Sequence, residues 1–124
     1  MLGTVLVFVG GGLGAAARHG VNILTVRLAG PDFPAGTLLV NAAGGLAMGL
    51  LIGLLTRHGG SAELRLFAAT GFLGGFTTFS AFSLDALLLF ERGAATAALS
   101  YIGASVILAI GGAAAGLALA RPLV

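Results

Sequence analysis

At 124 residues and 12.1 kDa the chain is of single-domain size; 58% of its residues are hydrophobic and 8% charged, with a mean hydropathy of +1.11. So few polar side chains cannot coat a small globule in water, which excludes an ordinary soluble protein and makes lipid the natural solvent. The six basic residues are all arginine and lie scattered, which excludes a nucleic-acid-binding face, and the lack of cysteine excludes disulfides, thiolate metal sites and a cysteine nucleophile.

Ionisable residues divide the chain into apolar blocks, and a helix needs about 20 such residues to cross roughly 30 Å of hydrocarbon. Four blocks qualify. Residues 1–17 are uncharged and the block continues past Arg18 to Val26; residues 33–56 form the second. Residues 66–84 form the third, extended through Asp85 to Phe90, and residues 93–120 the fourth. Between them lie stretches rich in turn formers: Ala29-Gly30-Pro31-Asp32-Phe33-Pro34, Arg57-His58-Gly59-Gly60-Ser61 and Glu91-Arg92-Gly93. The pattern predicts an all-α membrane protein, a single four-helix transmembrane domain over residues 1–124 with spans near 2–28, 35–56, 64–90 and 94–120. The first block is not expected to be a cleaved signal peptide, since no basic stretch precedes it and three further spans follow.

Orientation in a bilayer is set by Arg and Lys asymmetry between alternate loops. Here the two sides nearly balance. Arg57, Arg65 and Arg121 face one side, Arg27 and Arg92 the other, joined by Arg18 if its side chain reaches that way. We infer a chain that inserts in both orientations and pairs with an inverted copy of itself; a fixed topology set by other determinants is the alternative. The 22 glycines often recur four residues apart, as at Gly10 and Gly14, Gly45, Gly49 and Gly53, Gly71 and Gly75, and Gly112 and Gly116. Such spacing puts small faces on helices and predicts close helix packing in a compact assembly.

Several polar positions interrupt this background. Residues 10–15, GGGLGA, fit a dinucleotide-binding fingerprint, with Asp32 downstream. That fingerprint needs a strand, turn and helix of a parallel sheet, for which the chain has no room, so nucleotide binding is rejected. Arg18 lies toward the far end of the first helix, where it either snorkels to the interface or places a positive charge at the mouth of an aqueous vestibule. Asn41, with Thr37 one turn earlier on the same face, is either an interhelical hydrogen-bond partner or a donor to a passing anion. His19 and His58 are too far apart to indicate a metal site. No Ser-His-Asp order, carboxylate pair or zinc spacing stands out, so the chain is not expected to be an enzyme.

Residues 71–83, GFLGGFTTFSAFS, are the most informative segment. Two adjacent glycines and two adjacent threonines weaken an α-helix, which predicts a break from Gly74 to Thr78 midway through the third span. A break frees carbonyls, and carbonyls without carboxylates suit a hard monovalent cation such as Na⁺, pooled from two copies if inverted chains meet there. Beyond the break, Phe76, Phe79 and Phe82 recur every three residues as one stripe of the helix and Thr77, Ser80 and Ser83 as another. Aromatic stripes are commonly packing, yet ring edges are electropositive, and hydroxyls with Asn41 supply donors without a full counter-charge. That combination strips water from a small anion and still releases it. Tyr101 and Ser105, one turn apart on the fourth helix, extend this polar lining, while Asp85 is expected to be structural.

Three motifs now coincide: residues 10–18 (GGGLGAAAR), 36–44 (GTLLVNAAG) and 71–83. Together they resemble the Fluc (CrcB-like) fluoride channel family over essentially the whole chain. The resemblance implies a dual-topology, antiparallel homodimer with two pores that passively exports toxic fluoride across the bacterial or archaeal cell (inner) membrane. It also implies that Gly74 and Thr77 give backbone carbonyls to a central structural Na⁺. Phe79 and Phe82 would line the fluoride path, with Asn41 as donor and Arg18 near the vestibule. His19, Leu73 and Ala81 depart from residues common in the family, and Ala109 stands where some members carry a hydroxyl.

Two other functions remain to be distinguished. A small multidrug-type dual-topology transporter needs a buried carboxylate, usually in the first helix, and residues 1–31 contain no Asp or Glu. A non-conducting structural membrane subunit, assembled through its glycine faces, predicts no ion flux from purified protein.

Overall fold

The computed structural model describes residues 1–121, and these form helices joined by short connections. The first two are α1 (Leu2–Ala29) and α2 (Ala35–His58). The third apolar block is composite. A turn of α3 (Ala62–Leu64) leads into a π-helix (Arg65–Leu73), a turn of α4 (Gly74–Phe76), two extended residues and then α5 (Phe79–Glu91). The chain returns through α6 (Ala95–Ala120). Four segments, Leu2–Ala29, Ala35–His58, Ala62–Glu91 and Ala95–Ala120, are long and apolar enough to cross a membrane. Only 11–22% of their most apolar windows is buried within the chain, so apolar side chains point mainly outward, as lipid or a partner requires.

Local chemistry sets the helix ends. Gly59 takes the left-handed conformation after α2 and returns its N–H to the Leu55 carbonyl at 3.0 Å. Two residues on, the Ser61 hydroxyl caps α3 by accepting from the Leu64 amide at 3.1 Å. The Arg92 guanidinium donates to the Asp32 carbonyl, so the α1–α2 and α5–α6 connections meet at one end of the bundle.

Packing falls into two pairs. In the first, α2 lies along α6, where a Cβ at Gly45 or Gly49 would collide with the carbonyl of Ala109 or Ala113. In the second, α1 lies along the π-helix and α4, with Gly10 against the Phe67 carbonyl and Gly14 against the Phe72 carbonyl. Removing the side chain lets backbones touch, which gains dispersion contacts where lipid supplies no hydrophobic drive. A small core of Ala86, Leu89, Ala98 and Tyr101, with Leu38 and Phe82 against it, joins α5 to α6.

The π-helix was not anticipated from sequence pattern. Its wider coil pushes carbonyls outward, and the α1 glycines make room for them. It also narrows the irregular stretch expected over Gly74 to Thr78. The Gly74 amide bonds back to the Ala69 and Gly71 carbonyls, and the Thr77 amide reaches the Leu73 carbonyl at 3.0 Å. Gly74–Phe76 are therefore helical. Thr77 (φ −84°, ψ 158°) and Thr78 (φ −155°, ψ 121°) alone are extended.

Candidate functional site

Two extended residues inside an apolar segment expose backbone groups that must find partners. Asn41 on α2 supplies two of them. Its Nδ2 donates to the Thr78 carbonyl at 2.9 Å and its Oδ1 accepts from the Thr78 amide at 2.8 Å, a two-pronged clasp of one residue's backbone. Gly44, one turn along α2, lies against the Thr77 methyl group and leaves no space for a side chain there. The Thr77 hydroxyl donates to the Leu73 carbonyl at 2.9 Å, and the Thr78 hydroxyl accepts from the Ala81 amide at 3.1 Å as the cap of α5. Both threonines thus serve the backbone on either side of the irregularity.

Other backbone groups stay free. No turn bond spans Thr77 and Thr78, and the carbonyls of Gly74 and Thr77 accept no hydrogen bond from the described residues. Gly74 is exposed and Thr77 half-buried.

Beside the threonines runs a groove of about 410 Å³ between α2, α5 and α6. Asn41, Thr77, Thr78, Phe79, Phe82 and Ser105 line it together with glycines and apolar side chains of α2 and α6. Ser105 is 6% exposed, and its Oγ is the one buried side-chain polar atom without a partner among the described residues. Phe79 is 80% exposed and packs on Phe82 with ring centroids 5.5 Å apart; Phe82 in turn meets Tyr101 at 5.4 Å, and Tyr101 meets the edge of Phe33 at 5.6 Å. The groove therefore combines ring surfaces, one carboxamide and one unpaired hydroxyl, with no charged side chain in its wall.

The structure brings Asn41, Thr77, Phe79, Phe82 and Ser105 to this groove and leaves Arg18, Gly74, Ser80, Ser83 and Tyr101 outside its lining. Arg18 lies half-buried on α1. Ser80 is exposed near the Thr78 hydroxyl, at 3.3 Å, and Ser83 turns its hydroxyl back to the Phe79 carbonyl at 2.9 Å. Tyr101 is wholly buried and donates to Asp85 Oδ2 at 3.0 Å, which gives Asp85 a structural partner. The two three-residue stripes are shorter than expected. Phe76 precedes the extended pair and stacks on Phe72 at 6.0 Å, because a period of three carries no meaning across non-helical residues.

Sequence reading did not find the Asp85–Tyr101 bond, although a signal was present: the two residues are equidistant from Gly93, as facing positions of a helical hairpin are. It also overlooked Asn22 and Thr25 on α1, whose side chains fill the space over Gly36.

With this geometry in view, the kinship is direct: residues 5–117 match the family described as CrcB-like protein, Camphor Resistance (CrcB). The chain belongs to the CrcB-like family. It is 57% identical over 122 residues to the fluoride-specific ion channel FluC of Methylobacterium nodulans, covering 98% of each chain. Identity to the protein of the same name from Mesorhizobium japonicum is 56% over 123 residues, 99% of each, and to that from Agrobacterium fabrum 52% over 124 residues, again 99% of each. The family is one of ion channels and not of enzymes.

Proposed function

We propose that this chain forms a fluoride-selective passive channel in the cell (inner) membrane, assembled as an antiparallel homodimer around a central Na⁺. The observation that carries the reading is the groove beside Thr77 and Thr78, in a chain whose relatives are named fluoride-specific channels. Its wall offers donors and ring edges without a cation, so an anion can exchange its water for Asn41, Ser105 and the edges of Phe79 and Phe82 and still depart. Fluoride is small and strongly hydrated; chloride is larger and fits such a replacement shell poorly. Movement follows the electrochemical gradient, as in a channel, with no nucleotide site or buried proton carrier among the described residues. Arg18 near the vestibule raises the local anion concentration.

The backbone also fits the cation. Gly74 and Thr77 carry carbonyls that accept no hydrogen bond from the described residues, a neutral hard-oxygen set suited to Na⁺, and each chain supplies only part of a shell. When bound, Na⁺ offsets these oxygens and ties two copies together. The near-equal distribution of arginines between the two sides supports insertion in both orientations, which an antiparallel pair needs.

Efflux from liposomes containing only this protein tests the reading. Fluoride leaves quickly and chloride does not; equal rates for both ions remove the selectivity, and no flux from folded protein removes the channel. Exchanging Na⁺ for a large organic cation lowers dimer stability or flux, and indifference to that exchange rejects the central ion.

A further inference from the structure

Phe82 lines the groove, but the angle of its ring is fixed from behind. After the Asn41 clasp at Thr78, α5 joins the bundle through the small core of Ala86, Leu89, Ala98 and Tyr101. Within that core Tyr101 touches α5 at two positions one turn apart. Its ring packs on Phe82 with centroids 5.4 Å apart, and its hydroxyl donates to Asp85 Oδ2 at 3.0 Å. The rotation of α5, and with it the face Phe82 turns to the groove, therefore depends on where Tyr101 stands.

Tyr101 is braced in turn by a residue of neither α5 nor α6. Phe33, in the connection between α1 and α2, meets the Tyr101 ring edge to face, at 90° with centroids 5.6 Å apart. The connection that carries it is stiff. Pro31 and Pro34 flank Asp32 and Phe33 with fixed φ, the Phe33 carbonyl accepts from the Ala35 amide at 2.8 Å, and the Arg92 guanidinium holds the Asp32 carbonyl from the α5–α6 side. Phe33 itself is 38% exposed and lies outside the groove's lining.

We propose that Phe33 is a positioning residue for the anion path: its ring fixes Tyr101, Tyr101 fixes Phe82, and the α1–α2 connection thereby sets the selectivity of fluoride over chloride. This rests on the transport reading above and deepens it. A path that sorts two ions by size against ring edges needs those rings held within about 0.5 Å, and such precision comes from the packing behind them. Without the Phe33 ring, Tyr101 has free space on the side of the connection. Phe82 follows its tilt, and the groove admits the larger ion.

Two readouts test the proposal in the full-length protein. Tyr101 is the only tyrosine of a chain without tryptophan, so the tyrosine band in near-ultraviolet circular dichroism reports on this ring alone. The second readout is the ratio of fluoride to chloride efflux from liposomes. Phe33→Ala weakens the band and lowers the ratio about two- to tenfold, the range of one edge-to-face ring contact. Phe33→Tyr keeps the ring edge and restores the ratio. Phe8→Ala removes a ring that is 80% exposed on α1 and has no ring partner among the described residues, and it leaves band and ratio as in wild type. Should Phe33→Ala fail to fold, Phe33→Leu keeps the bulk and loses only the aromatic edge, and the same readouts apply. An unchanged ratio in the folded variant overturns the proposal. So does a lowered ratio with an unchanged band, which routes the effect around Tyr101. Wild-type protein that passes no fluoride overturns the transport reading and this proposal with it; wild-type flux whose ratio is indifferent to Phe33 overturns the proposal alone.

Discussion

The α2–α6 pair and the third span show two ways for apolar sequence to fold in the same bundle. α2 and α6 are uninterrupted helices of 24 and 26 residues, locked together by glycine-to-carbonyl contacts. The third span covers a similar length and passes through α, π, extended and again α geometry. Regular helices satisfy all interior backbone groups and present only side chains; the irregular span leaves carbonyls and amides for a ligand or a partner. Rigidity in one region permits unpaired polarity in the other, because Asn41, which holds Thr78, stands on the rigid α2.

Substitutions sharpen this contrast. The largest effect is expected in the regular pair. Gly49→Leu drives a side chain into the Ala113 carbonyl and separates α2 from α6, costing about 3 kcal/mol or more in thermal or denaturant unfolding of the detergent-solubilised protein. Unchanged unfolding would mean that the close approach is not required. Next is Asn41→Leu, which strips the partners from the Thr78 N–H and C=O and costs about 2 kcal/mol, with loss of fluoride flux. If flux survives while stability falls, Asn41 is a clasp and not part of the path.

The smallest effects compare two threonines. Thr78→Val removes the cap of α5 and costs about 1 kcal/mol, whereas Thr56→Val, on α2, loses only a bond to its own helix at the Ile52 carbonyl and stays within about 0.5 kcal/mol of wild type. Equal unfolding curves for the two variants would remove the distinction between the regions at that level.

Much of this was legible in the residues themselves. Charge-free blocks bounded by Gly, Pro and Arg correspond to the four long apolar segments, because lipid thickness imposes a minimum length that composition alone reveals. The glycine spacing marked contact faces: Gly10, Gly14, Gly45 and Gly49 all meet a neighbouring backbone. Gly71, Gly75, Gly112 and Gly116, which share that spacing, do so as well, whereas Gly12, Gly20, Gly103 and Gly111, outside it, face open space. The Gly-Gly-Phe-Thr-Thr segment drew attention for its poor helix propensity, yet its glycines stayed helical and only its threonines became extended. Propensity locates a weak stretch; the clasp by Asn41 holds Thr78 where it lies outside the helix.

Length, hydropathy and punctuation thus determined that the chain is a set of four apolar helices with polar residues confined to a few positions, because the bilayer selects on properties that each residue carries alone. The π-helix, the two-pronged hold of Asn41 on Thr78, the Asp85–Tyr101 bond and the unpartnered Ser105 were decided only in three dimensions. Each depends on two segments meeting at a particular register, and backbone polar groups, which every residue has in common, become distinctive only when the surrounding helices leave them paired or free.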